Sequence, residues 1–332
     1  MGERDLAALE QYDITVFRVG KGRESMVLET DKGLLLLKEY DGSVERADAE
    51  YRLLEELSEG INVDGYILNK EGVAVTTMPD GKKYILKKGA DGREVDLKKY
   101  DEVCLAVRSL AGLHIELERV AKACAGEPYM EQFKHDREFG EDIRRHHKEL
   151  KRVRNYIRGQ RKKNDFELKV LECFNLFYEQ GEKVLEYIEY FESGSESGAD
   201  EMILCHGNYN QHNIILGQTG KDISIINFDK ACFSYGVTDL YFFMRKCLEK
   251  QDYDVDLGIG IIKEYESVRA LTAFEKKILY VLFLYPEKFW KIVNHYYNGN
   301  KAWVSQKSIS KLQTLIEQEE ARQKFLYALS VL

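Results

Sequence analysis

Short β-favouring runs separated by tight turns dominate the first ninety residues. Gly-Lys-Gly and Asp-Lys-Gly turns join the first three runs, which predicts an antiparallel meander. Residues 34–37 are apolar without alternation, as in a central strand that is covered on both faces. The runs lie at residues 14–19, 25–30, 34–40, 66–69, 73–78 and 83–87. They predict a small sheet of five or six strands.

One amphipathic helix is predicted between these strands. Ser43 is a suitable N-cap, and Ala47, Tyr51, Leu54 and Leu57 follow it at helical spacing. Glu50 falls within this apolar stripe, where a carboxylate needs a cationic partner because burying it alone is costly. Lys38, at the end of the preceding strand, is the nearest candidate. We therefore predict a Lys38–Glu50 ion pair, the alternative being an edge lysine that extends to water.

Helical periodicity dominates from residue 101 onward. Helices are predicted over 103–117, over 129–190 with breaks near 159 and 164, and from 238 to the end of the chain, with a polar loop at 193–200. Thr272 and Glu275 form a capping box. A compact β insertion is predicted at 202–205, 214–216 and 223–228. The sequence thus predicts an α+β fold of two lobes, a β-rich lobe at 1–90 and a mainly helical lobe at 91–332.

Composition narrows the class of protein. The 332 residues are 44% hydrophobic and 32% charged, as in ordinary globular proteins. A net charge of -8 disfavours nucleic-acid binding over the whole surface. The six cysteines include no CxxC pair, and we expect reduced, packed thiols. With no apolar leader and no apolar run beyond eight residues, we expect cytosolic synthesis and no membrane span.

The strongest chemical signal is an HGNYNQHN loop followed by an NFD turn. The loop runs from His206 to Asn213, and Asn227 begins the turn fourteen residues later. This arrangement resembles the catalytic core of the aminoglycoside phosphotransferase and choline kinase superfamily, in which HGD, four residues and N precede an ID-aromatic-D/E metal turn. The resemblance implies a two-lobed, protein kinase-like fold that binds ATP and Mg²⁺.

The resemblance also assigns roles to individual residues. His206 becomes a structural member of the loop, Asn208 takes the catalytic position, and Asp239 braces the loop from a helix start. The metal-site positions are Asn213, Asn227 and Asp229. A strand lysine paired with a helix glutamate, here Lys38 and Glu50, holds the nucleotide phosphates in kinase-type enzymes. His212 has no obvious orienting partner in the sequence.

Two of these positions depart from the superfamily pattern. Asn208 replaces the catalytic Asp, and Asn227 replaces the principal metal-binding Asp. Asparagine keeps an acceptor oxygen but loses negative charge and basicity. Mg²⁺ prefers carboxylates, and losing a general base costs about 10²–10⁴ in rate. We therefore expect the binding of ATP and Mg²⁺ to be weakened or lost.

Longer fragments point to a narrower group. AVRSLAGLH, VTDLYFFMRKCLEK and LYPEKFWKIVNHYYN resemble CotS-type spore coat proteins of endospore-forming bacteria, which belong to the same superfamily. The resemblance runs from about residue 34 to 303. It implies a protein deposited in the spore coat among other coat proteins, a catalytically impaired pseudokinase with a structural or assembly role. The alternative is an active ATP-dependent phosphotransferase acting on a small hydroxyl- or amino-sugar-like molecule.

A basic segment stands out in this acidic chain. Ten Lys/Arg and a single glutamate, Glu149, lie between Arg144 and Lys163. One interpretation is a docking surface for an acidic partner or nucleic acid; the other, which the sequence favours, is the solvated face of a helix. Tyr156 is the only aromatic residue in the segment, which disfavours nucleic acid because there is little for bases to stack on.

Overall fold

The computed structural model describes residues 7–23, 25–134, 139–193, 202–298 and 306–332. Contacts group them into two compact units. The first contains the described residues up to Lys134 together with Ile203–Phe243 and Ser267–Arg269, and the second contains the others. This grouping rests on contacts alone, so the lobe boundary at residue 90 stays a prediction.

An antiparallel sheet of five strands lies in the first unit. Its members are β1 (Val16–Lys21), β2 (Met26–Thr30), β3 (Gly33–Glu39), β5 (Val75–Thr77) and β6 (Lys83–Lys88), ordered β1-β2-β3-β6-β5. The predicted strand at 66–69 is wrong, since Tyr66 makes only an isolated bridge to Lys87. Asn69 accepts hydrogen bonds from the backbone N–H groups of Glu71 and Val73, and this local turn ends the extended segment.

The two faces of this sheet have different roles. Leu35, Leu37 and Leu86 point to one face, where they are buried in a core with residues 8, 9, 12, 28 and 84. Leu36 lies opposite Lys87, and Lys38 lies opposite Ile85. Directly opposed residues share a face, so both lysines point away from that core.

Helices also belong to this unit. Helix α1 (Val44–Leu57) begins at Ser43, whose hydroxyl accepts a hydrogen bond from the Arg46 backbone N–H at 3.0 Å. The predicted N-cap is confirmed, and Glu50 lies on the buried face as expected. Helix α2 (Tyr100–Ala123) is the longest element of the unit.

The strands of the predicted β insertion pair with other strands in two small sheets. Strands β4 (Asn62–Val63), β7 (Arg93–Glu94), β9 (Ile214–Leu216) and β10 (Ile223–Ile225) form one in the order β4-β10-β9-β7. Strands β8 (Met202–Cys205) and β11 (Cys232–Tyr235) form the other. The HGNYNQHN loop therefore joins β8 to β9, and the NFD turn follows β10.

Helices build the second unit. They are α3 (Glu141–Gly159), α4 (Asp165–Glu192), α5 (Val237–Lys250, which begins in the first unit), α6 (Val255–Glu266), α7 (Ala273–Leu284), α8 (Glu287–Asn298), α9 (Gln306–Glu317) and α10 (Glu319–Ser330). The Thr272–Glu275 capping box is confirmed. Residues 194–200 of the predicted polar loop lie outside the described residues. No described helix combines the length and apolarity needed to cross a bilayer.

Candidate functional site

The loop after β8 is fastened to the start of α5 by one carboxylate. Asp239 accepts hydrogen bonds from the backbone N–H groups of His206 (2.8 Å) and Gly207 (3.0 Å). Gly207 has φ +75°, and a Cβ there would lie 2.0 Å from the Lys230 carbonyl oxygen. Only glycine fits this turn. Asp239 thus lies under the loop, at the place that the resemblance implies for a bracing residue.

His206 is a buried neutral linker. Its Nε2 lies 3.0 Å from the Ile226 carbonyl oxygen, and its Nδ1 accepts the Asn208 backbone N–H at 3.2 Å. These partners place the ring proton on Nε2. Burial lowers the pKa of His206, which keeps the imidazole neutral. Because both ring nitrogens are occupied, His206 joins the loop to the end of β10 and is unavailable as a base.

An amide hydrogen bond joins two of the predicted metal positions. The Asn213 side-chain N–H donates to the Asn208 carbonyl oxygen at 2.9 Å, which orients Asn213 Oδ1 toward the turn. That oxygen accepts a hydrogen bond from Asn227 Nδ2 at 2.8 Å. An aspartate at 227 has no hydrogen to donate and would bring two acceptor oxygens together. The Asn213 oxygen is therefore engaged by the Asn227 amide.

Asn208 is similarly held inside its own loop. Its Oδ1 accepts a hydrogen bond from Asn210 Nδ2 at 2.9 Å. Asn210 Oδ1 in turn accepts the His212 backbone N–H at 3.0 Å. An amide oxygen lacks the basicity to take a proton from a hydroxyl group. The side chain at the catalytic position thus acts as a structural acceptor.

The residues at the metal position do not fit a tightly bound divalent cation. Mg²⁺ demands well-placed hard oxygen ligands, above all carboxylates. Asn227 Nδ2 donates a hydrogen bond to Asn213 Oδ1, so the Asn213 oxygen is already engaged within the protein. Asp229 contributes the one carboxylate of the predicted set. Asp229 is half-buried, and within the described ranges no cationic group lies within 4 Å of its carboxylate oxygens.

A buried ion network lies beside the turn. Lys87 Nζ lies 2.7 Å from Glu50 Oε1 and 2.9 Å from Asp64 Oδ2, and these three side chains are at most 6% exposed. Tyr66 donates a hydrogen bond to Glu50 Oε2 at 3.0 Å. Asp64 Oδ2 also accepts the Asn227 backbone N–H at 3.0 Å. The network therefore connects the sheet, α1 and the NFD turn.

The predicted Lys38–Glu50 pairing is wrong, because Glu50 pairs with Lys87. Both lysines share one face of the sheet, but Lys87, opposite Leu36, is buried there, whereas Lys38 is not. Lys38 is half-exposed, and no described carboxylate lies within 4 Å of it. The role of Lys38 in nucleotide binding stays a prediction.

Sequence reasoning missed both Lys87 and Asp64. Lys87 directly follows the apolar run Tyr84 to Leu86 within one strand. That position is the sequence signal that could have identified Lys87 as an inward-facing charge. Asp64 precedes Gly65 and resembles an ordinary turn residue. Burial opposes the charge on Lys87, but Asp64 and Glu50 outweigh it and raise the pKa of Lys87. Burial raises the pKa of Asp64, with Lys87 opposing that shift.

Arg46 forms a second link between α1 and the NFD turn. Its guanidinium donates hydrogen bonds to the carbonyl oxygens of Ala231 (2.5 Å), Asp229 (3.3 Å) and Gln132. It also lies 4.6 Å from the centroid of the Phe133 ring. The guanidinium of Arg46 thus links α1 to the NFD turn.

His212 does have an orienting partner, contrary to the sequence-based expectation. Its Nδ1 lies 2.7 Å from Glu94 Oε2, and both side chains are partly exposed. The pair could not be predicted from the sequence pattern, because His212 and Glu94 are 118 residues apart along the chain. The contact ties the loop to β7.

The solved structures to which this fold is similar include several phosphotransferases. An aminoglycoside phosphotransferase from Alicyclobacillus acidocaldarius superimposes with a TM-score of 0.82 at 16% identity, covering 98% of this chain and 95% of that one. Amicoumacin kinase hAmiN, solved with AMP-PNP, Ca²⁺ and Ami, gives 0.64 at 16% identity with coverages of 98% and 94%. AMP-bound spectinomycin phosphotransferase gives 0.64 at 13% identity with coverages of 96% and 97%. The predicted fold class is confirmed.

Family comparison adds a biological context. A curated relative, "Endospore coat-associated protein YutH" of Bacillus subtilis (strain 168), is 27% identical over 141 residues. That match covers 41% of this chain and 40% of the relative's length. The model of the family described as "Spore coat putative kinase YutH" matches residues 7–329. The chain therefore belongs to the YutH family of spore coat proteins and carries that family's kinase-like fold.

Proposed function

We propose that this protein is a catalytically impaired kinase-fold protein with a structural or assembly role in the spore coat. The hydrogen bond from Asn227 Nδ2 to Asn213 Oδ1 carries this proposal. This hydrogen bond occupies the Asn213 oxygen that a metal ion would need as a ligand. The donor of the hydrogen bond, Asn227, carries no negative charge. We propose on the same ground that Mg²⁺-nucleotide binding is weakened.

The acceptor side of the reaction supports the proposal. Asn208 lacks the basicity of aspartate, and its oxygen is engaged by Asn210. Losing a general base costs about 10²–10⁴ in rate. Because phosphoryl transfer depends mainly on positioning and on neutralising charge, the weakened metal position adds to that loss.

The buried charges support a scaffold that is folded without a ligand. Lys87 serves as an internal cation for Glu50 and Asp64, and Arg46 holds the turn carbonyls. The NFD turn is thereby positioned by the protein itself. A coat protein needs such a fixed shape more than it needs turnover.

The rival function is an active phosphotransferase, and two observations favour it. Asp229 retains a carboxylate beside the turn, and structural neighbours were solved with AMP-PNP and Ca²⁺ or with AMP. In that case Asp229 would hold the metal and Asn208 would only position the acceptor.

Nucleotide titration by thermal shift, with and without Mg²⁺, separates the two functions. We expect at most weak Mg²⁺-dependent stabilisation and no ADP release from the natural sequence, whereas strong Mg²⁺-dependent stabilisation with ADP release would favour the enzyme. Asn227→Asp, alone or with Asn208→Asp, should raise the affinity for the Mg²⁺-nucleotide, because it places a carboxylate at the metal position. Adding Asp229→Asn to the Asn227→Asp variant is the matched control and should remove the gain.

Two outcomes would overturn the proposal. One is phosphate transfer by the natural sequence to an acceptor at an ordinary enzymatic rate. The other is a loss of coat localisation in Asn213→Ala, a variant that we expect to reach the spore coat as efficiently as the natural sequence. If that variant folds normally yet is excluded from the coat, the function depends on the site.

A further inference from the structure

The outward face of α3 is covered with positive charge. Arg144 pairs with Glu192, and Arg145 pairs with Asp142 at 2.7 Å. The remaining exposed cations of the helix are Lys148, Lys151, Arg152 and Arg158. For the parts of the chain that the structure describes, none of these four has a carboxylate within 4 Å. We call these four residues the basic face.

The fold does not require this charge. The opposite side of α3 places Leu150, Val153 and Ile157 in the core of the second unit. Glu149 accepts a hydrogen bond from Trp290 Nε1 at 2.8 Å. Like charges three or four residues apart destabilise a helix, and the basic face contains such pairs. Binding of an acidic partner would relieve this repulsion and add ion pairs that the isolated chain lacks, so the complex would be stabilised.

A complementary surface is present on the neighbouring helix. Glu179, Glu182, Glu186 and Glu189 are all exposed on α4, at spacings of three and four residues that place them on one side of the helix. No described cationic side chain lies within 4 Å of these four carboxylates. Lys183 is the only basic residue between positions 170 and 192. We call these four glutamates the acidic face.

Charge balance favours a second copy of this chain as the occupant. Residues 144–163 carry ten Lys/Arg and one Glu, so the rest of a chain with a net charge of -8 carries -17. Nucleic acid fits less well, because the large negative remainder repels phosphate. Tyr156, the aromatic residue of the segment, packs edge-on against Tyr297 at 4.9 Å between centroids and offers little for bases to stack on.

We propose that copies of this protein associate through the basic face of one copy and the acidic face of another. The interface is electrostatic and exposed, so it is sensitive to salt. This inference does not depend on the state of the phosphotransfer site. Failure of one proposal leaves the other standing.

Sedimentation velocity on the full chain at low and high salt tests the association. We expect concentration-dependent self-association at low salt, weakened about tenfold or more as salt screens the exposed charges. Two charge-reversed triple variants follow, Lys148/Lys151/Arg152→Glu and Glu179/Glu182/Glu186→Lys. Each alone should be monomeric because its two faces have the same sign.

Mixing the two variants in equal amounts should restore the complex, because each supplies the face that the other lost. This rescue separates a lost interface from a folding defect. The matched control, Lys32/Lys98/Lys221→Glu, changes net charge equally through exposed residues of the first unit and should still self-associate. Thermal unfolding checks that every variant is folded.

Three outcomes would overturn the proposal. They are a natural sequence that stays monomeric at low salt and high concentration, self-association that both triple variants retain, and a mixture of the two that does not associate. Saturable binding of short duplex DNA by the monomeric natural sequence, lost in the Lys148/Lys151/Arg152→Glu variant, would assign the basic face to nucleic acid instead.

Discussion

At the scale of single residues, one buried ammonium group compensates two carboxylates. Lys87 contacts Glu50 and Asp64, and Asp64 Oδ1 has no hydrogen-bond partner among the described residues. Buried ion pairs add little net stability over apolar packing, but breaking one by removing a single partner is strongly destabilising. The stability of the first unit should therefore depend strongly on the Lys87 side chain.

Lys87→Met tests this sensitivity. We expect the free energy of unfolding to fall by about 3–5 kcal/mol, because Glu50 and Asp64 lose their cation. Chemical denaturation measures the change. Lys38→Met, on the same face but half-exposed, is the control and should change stability by about 0.5 kcal/mol or less.

Adding Asp64→Asn to Lys87→Met should recover part of the loss, since it removes one of the stranded charges. If Lys87→Met has the same free energy of unfolding as the natural sequence, the ion network does not contribute the stability proposed for it.

At the scale of elements, two sets of polar contacts connect α1 to the NFD turn. Arg46 donates to turn carbonyls, and Glu50 reaches the turn through Lys87 and Asp64. The two links lie one helical turn apart on α1. Together they fix the position of a turn whose first residue, Asn227, has φ +65°, a conformation in which Asn is tolerated better than most residues.

Arg46→Ala should loosen this turn. We expect a loss of about 2 kcal/mol, because hydrogen bonds from a charged group are lost, and faster amide exchange in peptides that cover residues 227–231. Hydrogen exchange detected by mass spectrometry provides the measurement. Arg46→Lys should rescue only in part, since an ammonium group lacks the planar fork.

Arg52→Ala is the matched control on the same helix, where Arg52 forms an exposed i,i+4 pair with Asp48 worth little stability. Unchanged exchange near the turn in Arg46→Ala would contradict the proposed link.

At the scale of the whole molecule, each unit contains a buried neutral histidine. Burial lowers the pKa of His206 in the first unit, and burial with help from Lys151 lowers the pKa of His147 in the second. Both stay neutral in the folded protein below the pH at which an unfolded-chain histidine becomes protonated, near 6.5. The unfolded state then binds more protons, so stability falls with decreasing pH.

We therefore expect the melting temperature to drop as pH falls from about 7 to 5. His147→Phe should make this dependence shallower, because Phe keeps the ring stacked on Tyr178 but does not titrate. The comparison needs melting curves of both proteins across the pH series. Parallel curves would show that His147 does not contribute.

Much of the local structure was predictable because its causes are local. The N-cap at Ser43 and the Thr272–Glu275 capping box depend on residues three positions apart. The strands of the meander and the β insertion follow from short runs between turn residues. The segment at 66–69 was mispredicted because the side chain of Asn69 competes for backbone groups, which a pattern of apolar residues does not reveal.

The sequence by itself determined the chemistry of the site: amides at 208 and 227 lack charge in any fold, and the resemblance of the HGNYNQHN loop and the NFD turn to the superfamily motifs predicted the kinase-like core. Tertiary structure decided which groups meet. It paired Glu50 with Lys87, across 37 residues, in place of Lys38, and brought Asp64 to the Asn227 backbone across 163. Burial and strand register choose such partners, and both are properties of the folded chain that no local pattern contains.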